Sequence, residues 1–300
     1  MTHHLRHGDI DKDQWDALLM RCADRLWYAQ SWVLDLACPG WEALVDEDNG
    51  TIMPLTCRTK WGIRYLFQPL GLQQLGVFSP APSAADHAHF LRAIPKPYRY
   101  ADIHLNIVGV DQRVPDFTFE QRTNQVLALD RPIGELRAAY AQGHRRNLRA
   151  ADGSMRITAM PVAAFAQLFR ATTGARYGPS SLKGFDAFTH VMQAGVDFGQ
   201  CEIVALSDAQ GPVAAACFAE WQGRCILLKS ANTERGLAAR AMFRIVDDRL
   251  ARHAGTGMLL DFAGSMTPSV ARFNAGFGAV DAPYLRAVMN RLPWPLRWLK

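Results

Sequence analysis

The sequence contains no Cys-x-x-Cys pair, no GxxxxGKS or GxxxxGKT loop and no GxSxG elbow. Lack of the loop excludes a Walker-type nucleotide cradle, and lack of the elbow excludes the strained turn that presents a hydrolase serine. Gly276-Phe277-Gly278 lacks the third glycine of a dinucleotide fingerprint and follows a helical stretch, so nicotinamide chemistry has no binding turn here. The six cysteines (Cys22, Cys38, Cys57, Cys201, Cys217, Cys225) stand apart, several in apolar runs, and are expected as reduced thiols. His3, His4 and His7, and likewise His87 and His89, come without Cys, Asp or Glu at ligand spacing, so no metal is expected. No run approaches the roughly 20 apolar residues of a membrane span. The opening MTHHLRHGDIDKDQWD lacks the apolar stretch of an export signal, which makes a cytoplasmic chain the expectation. Charge of one sign is scarce as well: 33 Lys and Arg against 28 Asp and Glu leave +5. That bias suits an anionic small ligand and makes RNA binding as such the weakest class.

What is present is apolar sequence in quantity, 49% of 300 residues, enough for one large core or two cores of about 150 residues each. A repeat favours two. Leu44-Val45, the turn Asp46–Gly50, the run Thr51 to Arg58, the turn Lys60-Trp61-Gly62 and the run Ile63 to Gln68 read as an antiparallel meander. Ile203 to Ser207, Asp208–Gly211, Pro212 to Trp221, Gln222-Gly223 and Arg224 to Ser230 read as another, with the same interval between glycines. Each meander follows helical sequence: Lys12 to Asp24 and Ser31 to Ala37, then Val162 to Thr172 and Phe185 to Ala194. Duplication of one unit is the economical explanation. Asp130-Arg131-Pro132 breaks the chain between the copies, which gives domains 1–130 and 131–300, the second opening on a helical stretch from Ile133 to Ala151. The aromatics Trp27, Tyr28, Trp32, Trp41 and Trp61 are expected in the core of the first half.

The second half carries the candidate chemistry. After the strand Cys225 to Ser230 comes a polar loop to Gly236, then a helical stretch from about Leu237 to His253. Gly255 and Gly257 end it, Met258 to Phe262 reads as a buried strand, and Thr267-Pro268 opens another helix through Phe277. This alternation is α/β grammar. Small residues at a helix start free backbone N–H groups where the dipole favours a phosphate, so Gly236 and Ala238 are candidates for a donor pyrophosphate, assisted by Arg235 and Arg240. The alternative is an ordinary strand-to-helix turn with solvated arginines. Asp261, at the C-terminal end of a strand, is the candidate to hold or deprotonate an amine; it would otherwise cap a helix or pair with an arginine. Arg145 and Arg149 lie one helical turn apart and can face one anion, a donor phosphate or a tRNA backbone, or form a solvated face. Gly174 to Gly184 is a loop from which Tyr177 and Lys183 could reach an acceptor, and Ser265 either contacts an acceptor or caps a helix. Gln68, Gln73 and Gln74 suit a polar pocket. The tail Asn290 to Lys300 mixes Trp, Leu and cations, a composition that fits weak contact with a membrane surface or docking on the protein itself.

Three tracts carry a resemblance. Gly143-His144-Arg145-Arg146-Asn147-Leu148-Arg149-Ala150-Ala151-Asp152-Gly153, then Leu260-Asp261-Phe262-Ala263-Gly264-Ser265, then Ala271-Arg272-Phe273-Asn274-Ala275-Gly276-Phe277-Gly278-Ala279 are similar, in this order and spacing, to motifs of the Fem-type aminoacyltransferases of the GNAT superfamily. With the repeated meanders, the resemblance spans essentially the whole chain. It implies an α/β fold with mixed sheets in tandem GNAT-like acyl-CoA N-acyltransferase domains, and transfer of an acyl or aminoacyl group to an amine acceptor. The implied donor is acyl-CoA or aminoacyl-tRNA, with no tightly bound cofactor. The resemblance further implies that backbone N–H groups from Lys229 to Ala231 polarise the reacting carbonyl, so that no side chain need be a nucleophile. The phosphate loop aligns with Thr233 to Ala238; Gly236 and Ala238 match, while Thr233 stands where Gln or Arg is usual. A catalytically degenerate fold that binds a ligand or partner without turnover therefore stays open.

Overall fold

The computed structural model describes residues 2–109, 114–151, 153, 155–177, 182–264, 266–294 and 297, apart from the Tyr177 side chain. The chain forms two compact units, Met1–Arg122 with Pro283–Lys300, and Thr123–Ala282.

The first unit contains β1 (Thr2–Leu5), α1 (Lys12–Arg21), α2 (Ser31–Ala37), β2 (Glu42–Asp46), β3 (Thr51–Leu55), β4 (Cys57–Lys60), β5 (Ile63–Phe67), α3 (Ala84–Ala93), β6 (Tyr98–His104) and β7 (Phe117–Arg122). Asp11 starts α1 by accepting the Gln14 N–H, and Ser83 starts α3 by accepting that of Asp86. The expected meander is split here. β1-β2-β3 form one sheet, whereas β4 and β5 belong to a second. The run breaks at Thr56, whose hydroxyl donates to the Phe67 carbonyl and whose own carbonyl accepts the Phe67 N–H, so the chain changes partner in mid-run. Trp27, Tyr28 and Trp41 are buried as expected and Trp32 is half-buried, but Trp61 is 81% exposed.

One buried polar chain in this unit gives a pH prediction. Asp24 accepts the Ser79 N–H and the Asn106 side-chain amide, each at 2.9 Å, and Asn106 Oδ1 meets His87 Nε2. Burial pushes the Asp24 carboxyl up from 3.8 to about 6, while burial lowers His87. A raised folded pKa means that the native state binds the proton more tightly than the unfolded chain. The Asp24 contribution is therefore fully present below 3.8 and is lost as pH rises through about 6, which costs the neutral-pH protein about 3 kcal/mol. His87 acts in the opposite sense, its contribution being lost as pH falls below the ordinary histidine value, so total stability hides the effect. The melting-temperature difference between Asp24→Asn and wild type isolates it and should move in the variant's favour from about pH 4 to about pH 7. A difference that is flat with pH would show that Asp24 titrates normally.

The second unit runs through β8 (Gln125–Ala128), α4 (Ile133–Ala138), α5 (Gln142–Arg149), β9 (Arg156–Ala159), α6 (Val162–Phe169), a single π-helical turn (Arg170–Gly174), α7 (Ala175–Tyr177) and α8 (Phe185–Asp197). It continues with β10 (Cys201–Asp208), β11 (Gly211–Trp221), β12 (Arg224–Asn232), α9 (Glu234–Ala238), α10 (Ala241–His253), β13 (Leu259–Asp261), α11 (Pro268–Ala275) and β14 (Val280–Asp281). The sheet order is β14-β8-β13-β12-β11-β10-β9, and β10-β11-β12 is the uninterrupted meander the sequence pattern predicts. Its turn Gln222-Gly223 (φ 48° and 76°) matches Trp61-Gly62 (52° and 76°) in the first unit. Both are two-residue turns with positive φ at both positions. On one face, Ala241, Ile245 and Leu250 of α10 pack on Ala214, Ala216 and Phe218 of β11.

The unit boundaries differ from the expected cut at residue 130. β8 pairs with β13 and β14 and so belongs to the second unit, and the chain then returns to the first as β15 (Tyr284–Asn290), between β6 and β7. Leu285, Ala287 and Met289 of β15 bury themselves in the first core, which holds the return in place. The expected helix from Leu237 to His253 is likewise two helices, α9 and α10. Arg240 stands between them in the left-handed region (φ 55°), where the α10 axis starts afresh.

Candidate active site

β12 builds the site by having a neighbour on one edge for only part of its length. β11 accompanies it throughout, but β13 pairs with it in parallel only from Arg224 opposite Leu259 to Ile226 opposite Asp261. From Leu227 to Asn232 that edge has no strand partner among the described residues, because β13 ends at Asp261 and leaves the rest of the edge unpaired. A bulge falls in the same stretch, where Phe218 faces Leu227 and Cys217 faces Lys229, leaving Leu228 as the extra residue. The π-helical turn lies against β12, with the Thr173 hydroxyl donating to the Ser230 carbonyl at 3.2 Å. A widened turn of this kind inside a helix recurs at functional sites.

Lys229 sits at the bulge, half-buried, on the opposite face of the sheet from the α10 core. Among the described residues it has no hydrogen-bond or ion-pair partner, and burial alone lowers its pKa. An amine in that state is easily made neutral.

The donor-binding candidates fare differently. The Gly236 amide, expected to face a phosphate, donates instead to the Thr233 hydroxyl at 3.0 Å, and that hydroxyl donates to the Val213 carbonyl at 2.9 Å. Thr233 is thus the N-cap of α9, the structural reason for Thr at this place. Arg235 turns to the β10–β11 hairpin, where it pairs with Asp208 and Gln210. Ala238 lends its carbonyl to Arg240. Unfilled N–H groups occur one turn later: Ala241 and Met242 open α10 with no partner among the described residues, and no side chain caps that helix. Arg240 stands immediately before them, half-buried, with its Nε donating to Asn147 of α5. The unfilled N–H groups, the kind of feature that favours a phosphate, thus stand at the head of α10 and not at the head of α9.

α5 is anchored by His144, whose ring packs against Phe243, Phe273 and Phe277 and whose Nε2 donates to the Phe273 carbonyl at 2.8 Å. Arg145 is anchored through Nη1, which donates to the carbonyls of Ala138 and Tyr140 behind α4. Arg146 and Arg149 are exposed without partners among the described residues, and together with Arg145, Gln142 and Gly143 they line a cleft of about 600 Å³, so the expected pair Arg145 and Arg149 does meet at one cleft.

Asp261 is closed to an acceptor. It is 1% exposed, and its oxygens accept the Asn124 amide (3.0 Å), the Ala263 N–H (2.8 Å) and Arg224 (3.0 Å). This is a buried structural ion pair that sets the turn leaving β13. Ser265 and the side chain of Tyr177 lie outside the described residues. Glu220, Cys225 and His253 bring metal-type donor atoms within 4.8 Å of one another. The guanidinium of Arg249, 2% exposed, already sits on Glu220, so the carboxylate there serves a cation the protein supplies.

The three-stranded antiparallel meander, the short parallel strand beside it and the helices α9 and α10 that connect the two give the arrangement of the acyl-CoA N-acyltransferase fold. No protein-family model and no curated protein matches the chain significantly. Among solved structures, FemX superposes with a TM-score of 0.68 at 12% identity, covering 100% of this chain and 99% of that one. A tandem GNAT protein from the clavulanic acid biosynthesis pathway gives 0.55 at 15% identity (98% and 99%), and a conserved protein from Bacteroides thetaiotaomicron 0.60 at 8% (94% and 98%). At these identities the likeness establishes the fold, shared over whole chains.

Proposed function

We propose that the second unit catalyses transfer of an acyl or aminoacyl group from an activated donor to an amine. One observation supports this above the rest: the bulged, unpartnered edge of β12 with Lys229 upon it. A thioester or ester carbonyl beside β12 would accept hydrogen bonds from backbone N–H groups of that edge, which strengthen as its oxygen gains charge. The amine attacks the carbonyl carbon, the tetrahedral centre collapses, and the thiolate of CoA or the ribose oxygen of tRNA departs. Neutral Lys229 takes the proton that the attacking nitrogen must lose. Donor phosphates are assigned to the N–H groups of Ala241 and Met242, with Arg240 beside them. Acyl-CoA and aminoacyl-tRNA both satisfy this chemistry; no tightly bound cofactor is required.

Arg240→Gly tests the donor site. A non-glycine residue at φ 55° carries strain of order 1 kcal/mol, which glycine relieves at the loss of two long side-chain hydrogen bonds, to Asn147 and to the Ala238 carbonyl. The variant should melt at or above the wild-type temperature yet bind CoA, a CoA thioester or aminoacyl-tRNA about tenfold more weakly by calorimetry. Unchanged affinity for every donor would move the phosphates elsewhere. The amide of Gly236 being filled by Thr233 favours one second reading, a fold that retains a ligand without turnover; donor binding with no product formed would select it.

A further inference from the structure

Trp61 and Trp294, 81% and 73% exposed, are the most exposed large apolar side chains among the described residues, and both belong to the first unit. Trp61 is the first residue of the two-residue turn between β4 and β5, at φ 52°, a conformation unfavourable for an aromatic side chain. The equivalent turn of the second unit places Gln222 in the same conformation. The backbone therefore has no need of tryptophan there, nor does the core.

The residues that adjoin these two tryptophans in the chain line a cavity of about 760 Å³. Gly62, the neighbour of Trp61, lines it, as does Pro293, the neighbour of Trp294. So do Lys96, Arg99, Arg291 and Arg297, while no acidic side chain among the described residues does. Arg291 is held by Asp116 outside the lining, and Arg297 Nε donates to the Leu292 carbonyl. Lys60 adds another cation, with its ammonium 4.5 Å above the Trp61 ring.

Indoles favour the boundary between water and hydrocarbon, where the ring leaves water and the N–H stays wet, and clustered cations are drawn to anionic headgroups. RNA also combines cations with aromatic rings, but it stacks bases on open ring faces. Lys60 covers a face of Trp61, which favours the bilayer.

We propose that the first unit docks on anionic lipid bilayers by inserting Trp61 and Trp294 at the interface, with lipid phosphates drawn to the adjoining cationic cavity. The docking is independent of acyl transfer and needs neither donor nor acceptor. The test is sedimentation of the full chain with phosphatidylcholine vesicles, with and without about one-third phosphatidylglycerol. Expected is at least tenfold tighter association with the anionic vesicles, weakening as salt is raised. Trp61→Gly combined with Trp294→Ala should reduce it about tenfold, and Lys96→Glu with Arg99→Glu should abolish it, each with wild-type circular dichroism because these side chains bear no core. Equal association with both vesicle types would overturn the proposal. So would full binding by the double tryptophan variant, or binding of a duplex or single-stranded RNA without vesicle binding. Competition by inorganic phosphate that leaves the tryptophans irrelevant would equally reduce the site to an anion pocket.

Discussion

Gly236→Ala should lower the melting temperature of the second unit by about 10 °C. A Cβ at this position would stand 2.2 Å from Asn232 Oδ1 and 2.3 Å from the Val213 carbonyl oxygen. Conformational freedom is not the reason, because Gly236 is not among the residues with positive φ. The obstacle is space. The Val213 oxygen cannot retreat cheaply, since it accepts both the Thr233 N–H and the Thr233 hydroxyl at 2.9 Å and belongs to a strand paired on both sides. Moving α9 away instead would break the Thr233 cap on the Gly236 amide. Overpacking plus the lost cap costs about 3 kcal/mol or more, a large part of the stability of an ordinary domain. Gly143 of α5 is the contrast: nothing lies within 4 Å of its Cβ, and alanine there should stabilise the helix by about 0.5–1 kcal/mol. Urea or thermal melts of the two variants decide the point. A Gly236→Ala protein that melts like wild type would mean that α9 does not press on β11 as described.

Gly236 also shows what could be read in the sequence and what could not. That a small residue is needed after β12 was legible, and the resemblance pointed to the same place. Its purpose was not, because the contact that forbids a side chain comes from Val213, distant in sequence. The β10-β11-β12 meander was legible because hairpin turns need residues with positive φ, and such residues are few. The first-half meander misled for the same reason: turns mark where strands end but not which strands pair, and the partner exchange at Thr56 leaves no local trace. β15 illustrates this more strongly, for its alternating Leu285, Ala287 and Met289 announce a strand with one buried face without saying which core receives it. The fusion of α9 and α10 into one expected helix arose because apolar spacing continues across Arg240, and arginine does not advertise a left-handed conformation. For Asp261, at a strand end, the sequence leaves open an acceptor role or a pair with an arginine; the second is what forms, and the partners Arg224 and Asn124 are too distant in sequence to be named in advance. The π-helical turn is invisible to periodicity, since it differs from an α-helical turn by a single residue.

Lys229→Met should lower the rate of acyl transfer by about 10²–10³-fold and at the same time raise stability. The two effects have one origin. A half-buried ammonium without a partner costs folding energy, and methionine, similar in length and without charge, removes that cost and should add about 1 kcal/mol. Burial holds the Lys229 pKa below its ordinary 10.5, so the native state binds the proton less tightly than the unfolded chain does. Wild-type stability from this group accordingly rises with pH between the folded value and 10.5, and is lost as pH falls through the folded value. The stability advantage of Lys229→Met should shrink as pH is raised towards that upper limit. Activity should follow the same titration, since only the neutral amine can accept the proton of the attacking nitrogen. The rate should thus climb with pH to a plateau in wild type, and the climb should vanish in the variant. A side chain that merely packs beneath the π-helical turn would give neither the activity loss nor the change in pH profile, because methionine fills the same space. Donor affinity provides the last discriminator: with the donor site proposed at the head of α10, calorimetry should find it within about threefold of wild type, and loss of donor binding would mean that Lys229 holds the donor rather than the proton.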